Sequence, residues 1–467
     1  MAESSDMTFL KAKHIGISSI ILCTILLQFF APKASPKTYK IMPGTSLQQT
    51  IDNAGRGDTL LVESGVYEPI ILRKQLVLLG NGMPEIVGPD TGRVVQVFAD
   101  SCEIRGFRIC GSGISLQKEH GGIYLRSNGN IIAENRLDDV LFGIYFYSSD
   151  YNQINDNVIE GKPELAQGRR GSGMHLWYSF HNEIFGNEVQ LVRDGMYIQH
   201  SNVNDIHHNR MHNLRYGLHY MFSDTNSFAY NHFYDNVAGA ALMYSKNLIF
   251  KRNIFEQNRG VSSLGILFKD CDFCLSEENI IAANATGIFI DNSSKNIFRR
   301  NTVSFNDLAL KIFSSANYNL FYENNFMFNM SPLEIVGRRT TTKWASEGRG
   351  NYWTSYQGFD LNHDGIADHP YKIQNLFDYI EGNYPALRLF SFSPASQAIA
   401  AGQVVMPIFD ITFEEDPAPL MRPIDLRELR QQITGSSSDG GFQMFSLFVL
   451  AGVCGLLLTV KGKISKK

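Results

Sequence analysis

Charged residues are scarce in this chain of 467 residues, where Asp, Glu, Lys and Arg together account for 19%. The formal net charge is −4, and the middle of the chain has no block rich in Lys and Arg. Binding to nucleic acid depends on clustered positive charge, so the composition argues against a nucleic-acid partner. An apolar content of 44% instead indicates a globular chain that can bury a large core.

Cysteine is also rare. Two of the six cysteines lie in apolar runs near the ends of the chain, and the others are Cys102, Cys110, Cys271 and Cys274. Cys271 and Cys274 form one CxxC pair, but no second pair is present to complete a four-cysteine zinc site. Thiols of an exported protein can oxidise. The sequence therefore leaves a disulfide, a free pair and a site for a soft metal ion open at this CxxC.

Residues 1–35 are predicted to be a signal peptide or, if uncleaved, a membrane anchor. An apolar run at residues 15–30 follows Lys11 and Lys13, and it is shorter than a typical membrane span. The cleavage pattern after this run is poor, because prolines and a lysine crowd it. A buried helix is the remaining alternative for the run.

A second apolar run occupies residues 442–460, and its 19 residues include no charged one. About 20 apolar residues are needed to cross a bilayer. Four lysines follow within residues 461–467, and positive flanks stay on the cytoplasmic side. We therefore predict a flexible linker at 435–441, a transmembrane helix at 442–460 and a cytoplasmic tail at 461–467. A buried C-terminal helix is the alternative.

Two series of residues repeat in phase through the middle of the chain. Glycines followed by apolar residues recur mostly every 21 or 22 residues, with two longer steps of 30 and 26 residues. Asparagines keep the same phase. The glycines are Gly122, Gly143, Gly173, Gly195, Gly217, Gly239, Gly265 and Gly287, and the asparagines are Asn135, Asn157, Asn187, Asn209, Asn231, Asn253, Asn279, Asn301 and Asn324. Such a period fits one coil of two or three short strands.

The repeat predicts an all-β fold, a right-handed parallel β-helix over residues 36–330 with coils of about 22 residues. Asparagine suits the bends and, stacked in register, can form ladders between coils. The ends of such a stack need caps. A capping-box pattern at residues 45–49 predicts a short N-terminal helix to Ala54 that covers the first coil. The two longer steps predict insertions, one near residues 161–171 and one near Cys271.

Side chains alternate across a strand, so the position in the repeat predicts the face. Residues one and three after each glycine are apolar and are predicted to fill the core. Residues two and four after it are predicted to face outward, where His219 and Met221 share a strand and Met243 lies one coil along. Imidazole and thioether ligands select Cu(I), so these three form a candidate copper site. The alternative is that Met221 and Met243 only cover the surface of the sheet. His207 and His208 belong to the following strand or turn and are predicted to be ordinary surface residues.

Residues 331–434 are predicted to form a C-terminal extension. It contains the pattern D-x-N-x-D-G-x-x-D at Asp360, Asn362, Asp364 and Asp368. Carboxylates that alternate around a glycine turn are typical of calcium sites, so a structural calcium ion is predicted here. The alternative is a turn in which these side chains cap the backbone. The acidic and proline-rich residues 414–423 predict an extended arm.

These features together resemble the NosD family, periplasmic accessory proteins for copper-site maturation of nitrous oxide reductase. The resemblance rests on residues 44–52, on the His-Tyr-Met and Met-Tyr-Ser motifs around Met221 and Met243, and on residues 347–353, 360–368 and 419–423. It implies a carrier of Cu(I), not an enzyme, located in the periplasm. The predicted transmembrane helix at 442–460 lies outside the family pattern and would tether the chain to the inner membrane. The implied partners are an inner-membrane ABC transporter, a copper-chaperone lipoprotein and apo nitrous oxide reductase, whose copper–sulfide site receives the metal.

Other functions stay open. Many parallel β-helices are polysaccharide lyases, hydrolases or epimerases, which need clustered carboxylates or a positioned base. The two outward columns contain no Asp or Glu before Asp291, which argues against catalysis. The aromatic outer face can also bind carbohydrate without catalysis. A third hypothesis is a structural scaffold for the maturation complex that does not touch copper.

Overall fold

The structure is a computed structural model that describes residues 35–337, 340–373, a few residues between 387 and 402, and residues 414–434. The predicted leader, except residue 35, and the predicted linker, transmembrane helix and tail at 435–467 lie outside the described residues. Within the described ranges, no helix is long and apolar enough to cross a bilayer.

Three long sheets of short parallel strands run side by side, and every strand except those at the ends of a sheet pairs with strands one coil before and after it. Sheet 1 contains Thr38–Ile41, Thr59–Glu63, Val77–Asn81, Glu103–Arg105, Ile131–Ala133, Gln153–Asn155, Glu183–Phe185, Asp205–His207, Ser227–Ala229, Ile249–Lys251, Leu275–Glu277, Ile297–Arg299 and Leu320–Tyr322. Sheet 2 contains Ile70–Leu72, Val95–Val97, Gly121–Leu125, Phe142–Tyr147, Ser172–Trp177, Asp194–Gln199, Tyr216–Met221, Ala238–Lys246, Leu264–Asp272, Thr286–Asp291, Leu308–Phe313 and Ser331–Val336. Sheet 3 contains Val66–Tyr67, Glu85–Val87, Arg108–Cys110, Arg136–Val140, Val158–Gly161, Glu188–Gln190, Arg210–His212, His232–Tyr234, Ile254–Glu256, Ile280–Ala282, Thr302–Ser304, Asn325–Met327 and Tyr352–Trp353. The predicted parallel β-helix is confirmed.

The predicted N-terminal capping helix is also confirmed, at Leu47–Asn53. The hydroxyl of Ser46 accepts a hydrogen bond from the amide of Gln49, as a helix N-cap does. Leu47 and Ile51 are buried against the first coil. A 3-10 turn lies at Gln167–Arg169, and an α-helix lies at Arg427–Thr434.

The two columns predicted to fill the core are fully buried. They comprise Ile123, Ile144, Met174, Met196, Leu218, Ala240, Ile266 and Ile288, together with Leu125, Phe146, Leu176, Ile198, Tyr220, Leu242, Phe268 and Ile290. The glycine column faces the same core at very close range. A Cβ atom on Gly195 would lie 2.6 Å from the Gly217 carbonyl oxygen and 2.6 Å from Met211 Sδ. The repeated glycine is therefore required by this close approach.

Buried asparagines form the predicted ladders between coils. At Asn231, the amide N–H and Nδ2 both donate to Asn253 Oδ1, and Oδ1 accepts the corresponding pair from Asn209. Asn231 Nδ2 also donates to the Ile206 carbonyl oxygen at 2.9 Å. Each side chain thus satisfies its own polar atoms and a buried backbone carbonyl. The same pattern links Asn135, Asn157, Asn187, Asn209, Asn231, Asn253, Asn279, Asn301, Asn324 and Asn351.

One predicted insertion is placed correctly and the other is wrong. Residues 162–171 leave the stack between Val158–Gly161 and Ser172–Trp177, as expected. Ala238 pairs with Leu264, 26 residues later, and Ser245 pairs with Cys271 at the same separation. No residue is therefore inserted between Leu264 and Cys271. The extra residues therefore precede Leu264, in an exposed loop that contains Val261.

The stack also extends past residue 330, the boundary that the sequence predicts. Ser331–Val336 joins sheet 2, and Tyr352–Trp353 joins sheet 3. The predicted arm lies against this last coil, where Glu415–Asp416 pairs antiparallel with Tyr371–Lys372. Buried Asp416 accepts hydrogen bonds from the Asn351 amide at 2.7 Å and from Trp353 Nε1 at 2.9 Å. The arm therefore caps the C-terminal end of the core.

Replacing Asn231 with alanine should destabilise the stack. The variant leaves the Asn209 amide without its acceptor in the buried interior. It also removes one acceptor of Asn209 Nδ2 and one donor to the Ile206 carbonyl oxygen. We expect the free energy of unfolding to fall by about 2–4 kcal/mol, measured by denaturant unfolding followed by circular dichroism.

The matched control is Asn53→Ala, at an exposed position at the end of the capping helix. It should change the free energy of unfolding by less than about 0.5 kcal/mol. Equal effects of the two substitutions would contradict the importance of the ladder.

Candidate metal site

The strands of sheet 2 carry three outward columns instead of the two that simple alternation predicts. In Tyr216–Met221, both Gly217 and Leu218 are buried, so two consecutive residues face the core. A Cβ on Gly217 would lie 2.7 Å from Phe233 Cδ1 in that core. The residue before each glycine therefore faces outward, on the same side as the residues two and four after it.

The structure brings the three predicted copper ligands to one face. His219 and Met221 are alternate residues of one strand, and both are partly exposed. Met243 lies directly beside Met221 in the register of the next strand, where neighbouring strands lie about 4.8 Å apart. The small residue Ala241 lies beside His219 in the same strand pair. Two thioethers and one imidazole thus share a small area of the outer surface.

The sequence interpretation missed Asp194, which holds the imidazole of His219. Asp194 occupies the third outward column one coil earlier, and its side chain is fully buried. Its Oδ2 lies 3.3 Å from His219 Nδ1. Because a carboxylate only accepts, Nδ1 carries a proton, and in the neutral ring the lone pair for a metal ion is then on Nε2. An acidic residue directly before the glycine is the sequence signal that would have identified it.

The charge of Asp194 is balanced by arginine. Arg215 donates from Nε to Oδ1 at 2.9 Å and from Nη2 to Oδ2 at 2.8 Å, and Arg193 Nε lies 3.2 Å from Oδ2. Burial raises the pKa of Asp194, but the hydrogen bonds from His219 and Arg215 outweigh it, so the pKa lies below its usual value. Asp194 therefore remains a carboxylate and keeps the orientation of His219 fixed.

Aromatic rings enclose the imidazole. Tyr197 and Tyr216 contact His219 edge to face, with centroid distances of 4.6 and 5.2 Å. The hydroxyl of Tyr197 donates to Gln199 Oε1 at 2.7 Å and lies 3.9 Å from Met221 Sδ. Only 15% of the His219 side chain is exposed. A metal ion bound here would have a preoriented nitrogen, polarisable sulfur and restricted access to water.

Soft, monovalent copper suits this set of donors better than other metals do. In the parts of the chain that the structure describes, no three His, Cys, Asp or Glu side chains converge on a common point. The candidate site thus depends on thioether sulfur and has one imidazole and no anionic ligand in direct contact.

The CxxC pair belongs to the core. Cys271 and Cys274 are buried, and neither forms a disulfide. Cys271 Sγ lies 3.4 Å from the Lys269 carbonyl oxygen, and Cys274 Sγ lies 3.5 Å from that of Asp272. Burial raises the pKa of Cys271 well above its usual value and that of Cys274 to about 12. Both are therefore neutral thiols, which are poor metal ligands.

The D-x-N-x-D-G-x-x-D loop folds into a turn whose side chains accept backbone hydrogen bonds. Asp360 accepts from the amides of Asp364 and Gly365, and Asp368 accepts from the amide of Leu361. Asp364 accepts from the amide of Ile366 at 2.8 Å. This is the capping arrangement that the sequence leaves as the alternative to calcium, and calcium binding at Asp360, Asn362, Asp364 and Asp368 stays a prediction.

Comparison with known proteins identifies the family. The family model described as periplasmic copper-binding protein (NosD) matches residues 156–358. A probable ABC transporter binding protein NosD of Pseudomonas aeruginosa is 36% identical over 351 residues, which cover 72% of this chain and 82% of that protein. The chain belongs to the NosD family. A second NosD, from Stutzerimonas stutzeri, is 30% identical over 143 residues, or 31% of this chain and 33% of that protein.

The NosD family model spans the strands that carry Asp194, His219, Met221 and Met243.

Among solved structures, the A-module of the mannuronan C-5 epimerase AlgE4 of Azotobacter vinelandii is similar, with a TM-score of 0.51. It is 14% identical to this chain, and the match covers 64% of this chain and 94% of that module. At this level of identity the likeness shows the shared β-helix fold alone.

His175, one coil before Asp194, should make stability depend on pH. Its ring stacks between Tyr145 and Tyr197, with centroid distances of 4.4 and 4.7 Å. Among the described residues neither ring nitrogen has a hydrogen-bond partner. Burial, followed by the charge of Arg193, lowers the pKa of His175 to about 3, whereas an unfolded histidine titrates near 6.5.

Below pH 6.5 the unfolded chain therefore binds a proton at His175 that the folded chain does not. We expect this residue to lower the free energy of unfolding by about 1.4 kcal/mol per pH unit between pH 6.5 and 3. His175→Phe should remove that contribution, and His181→Asn, at an exposed histidine, should not. Denaturant unfolding at pH 7 and pH 5 measures the difference, and an unchanged pH dependence in His175→Phe would contradict it.

Proposed function

We propose that this chain is a periplasmic copper carrier that binds Cu(I) at His219, Met221 and Met243 on the outer face of sheet 2. The observation that carries the proposal is the in-register pair of methionines beside an imidazole that a buried carboxylate orients. The family description as a periplasmic copper-binding protein supports the same metal.

A carrier that must pass Cu(I) to a partner is expected to hold it with few ligands at a partly exposed site. Thioethers are neutral and hold Cu(I) through soft donor character, while a closed cage of thiolates would hold it far more tightly. The site lies on the surface of a rigid sheet, so a partner can approach without unfolding the carrier. The contact with Asp194 fixes the position of His219 before the metal arrives.

The partners follow from the family. The related proteins carry the name of ABC transporter binding proteins, and we propose an inner-membrane ABC transporter as the partner of this chain. A copper-chaperone lipoprotein would supply Cu(I), and apo nitrous oxide reductase would receive it for its copper–sulfide site. In this proposal the predicted transmembrane helix at 442–460 keeps the carrier near the transporter.

A second candidate function is carbohydrate binding without catalysis. Four rings, those of Tyr178, His200, Phe222 and Tyr244, stack in a row along sheet 2 at centroid distances of 4.8 to 5.4 Å. More than 40% of each of Tyr178, Phe222 and Tyr244 is exposed. Such a row can stack against sugar rings or against a protein partner. Saturable binding of an oligosaccharide with no binding of Cu(I) would favour this function over the carrier.

The carrier is tested by anaerobic Cu(I) titration of the full chain against a competing chelator. We expect one equivalent to bind. Replacing Met221 or Met243 with leucine keeps the volume but removes the sulfur, and His219→Phe keeps an aromatic ring but removes the nitrogen. Each change should weaken binding by about tenfold or more, since each removes a direct ligand.

Met330→Leu is the matched control, because Met330 is 61% exposed and lies outside the site; its affinity should equal that of the wild type. Cys271→Ser should also leave the affinity unchanged, because that thiol is buried and neutral. Loss of binding only in Cys271→Ser would move the site to the CxxC. No binding to the wild type would overturn the carrier and leave the scaffold hypothesis.

Asp194→Asn tests the positioning of His219. An amide can donate as well as accept, so the preference for the Nδ1–H tautomer is weakened. We expect Cu(I) affinity to fall by about 10–100-fold, the usual effect of removing an outer partner of a ligand. Nitrogen NMR of the His219 ring should show a changed tautomer population. An unchanged tautomer with lower affinity would contradict the positioning role, and circular dichroism checks that the fold is intact.

A further inference from the structure

A pair of histidines lies on sheet 1, whereas the candidate copper site lies on sheet 2. His207 and His208 are adjacent in sequence, and their Nδ1 atoms lie 3.0 Å apart. The two rings are nearly perpendicular, with an interplanar angle of 89° and centroids 5.2 Å apart. Adjacent residues of a strand normally point to opposite faces, so this arrangement needs a specific cause.

The backbone conformation supplies that cause. His207 ends the strand Asp205–His207 of sheet 1, and His208 has a left-handed backbone with φ of 56°. This turn rotates the second side chain towards the first. The turn is held by the asparagine ladder, since Asn209 Nδ2 donates to the His207 carbonyl oxygen at 3.0 Å. The amide of His208 also donates to the Ala229 carbonyl oxygen at 3.1 Å.

Each ring is fixed by stacking on a neighbouring coil. His207 stacks on Phe185 with a centroid distance of 5.0 Å and an angle of 11°. His208 stacks on Tyr230 at 4.9 Å and 9°. The rings therefore keep their relative positions without a ligand, which lowers the entropy cost of binding one.

The protons on the two rings also suit a metal ion. Glu183 Oε1 lies 3.4 Å from His207 Nε2, and a carboxylate there favours the proton on Nε2 and a lone pair on Nδ1. Without a metal, His208 Nδ1 then donates to His207 Nδ1. A metal ion takes the place of the shared proton, which moves to His208 Nε2 through solvent.

Space for the ion is present beside the pair. The residue that occupies the His208 position one coil earlier is Gly186, and the residue paired with His207 in the next coil is Ala229. Neither has a side chain that could cover the two nitrogen atoms. His208 is exposed and 23% of the His207 side chain is exposed. Solvent molecules can therefore complete the coordination.

We propose that His207 and His208 form a second metal site, a two-imidazole chelate for a divalent first-row ion, with Cu²⁺ bound most tightly. Metal–nitrogen bonds of about 2.0–2.1 Å would bridge the 3.0 Å gap at an angle of roughly 95°. Imidazole ligands suit Cu²⁺, Ni²⁺ and Zn²⁺, and affinity in such sites is greatest for Cu²⁺. The site has nitrogen donors and no sulfur, so it differs in both place and metal preference from the Cu(I) site.

The test is an aerobic titration of the full chain with Cu²⁺, followed by frozen-solution electron paramagnetic resonance and competition with a chelator. We expect one Cu²⁺ whose spectrum shows coupling to two imidazole nitrogens. His207→Phe preserves the stack on Phe185, and His208→Asn suits the left-handed backbone. Each should weaken binding by more than about tenfold, since removal of even an outer partner costs about 10–100-fold. Glu183→Gln should weaken it less.

His181→Asn is the matched control. His181 also has a left-handed backbone, with φ of 56°, and stacks on Tyr151, but it has no adjacent histidine. This variant and His219→Phe should bind Cu²⁺ like the wild type. Absence of Cu²⁺ binding, or binding that persists unchanged in His207→Phe and His208→Asn, would overturn the proposal. Loss of Cu²⁺ in His219→Phe alone would assign the ion to sheet 2. None of these outcomes depends on Cu(I) binding, so the two sites are tested separately.

Discussion

The buried asparagine ladder is the interaction on which the rest of this structure depends. Each asparagine donates its amide and Nδ2 to the oxygen of the next coil, and its own oxygen accepts the same pair from the coil before. A buried amide that missed these partners would be costly. The ladder therefore fixes the spacing between coils, and additional residues appear only in loops such as 162–171 and the loop before Leu264.

Because the coils are fixed in register, each outward column places one residue per coil along a straight line. This explains how residues far apart in sequence form small groups on the surface. Met221 and Met243 are paired by the sheet, and Asp194 reaches His219 from the previous coil. The same register stacks His207 on Phe185 and His208 on Tyr230 on another sheet.

Repetition made much of the fold predictable. The phased glycines and asparagines predicted the coils, the ladders and the buried columns, and the capping-box pattern predicted the first helix. The common face of His219, Met221 and Met243 followed from alternation within the strand. Alternation fails at the glycine, where two consecutive residues face inward, and for that reason Asp194 was missed. The approach of His207 and His208 was missed because it depends on a left-handed backbone that composition does not signal.

The hydrogen bonds between the asparagines of the ladder all run in one direction, from each asparagine to the oxygen of the one in the next coil. The last asparagine of the ladder, Asn351, donates to the carboxylate of Asp416, which can accept hydrogen bonds but has no proton to pass on. Burial raises the pKa of Asp416, but the hydrogen bonds donated by Trp353 Nε1 and by the Asn351 amide act in the opposite direction and favour the carboxylate. An asparagine side chain at position 416 would have offered an N–H donor to a further coil. The acidic side chain instead ends the series, and a second molecule cannot extend it from that side. With the helix Leu47–Asn53 over the opposite end, each end of the described stack has a cap that opposes end-to-end polymerisation.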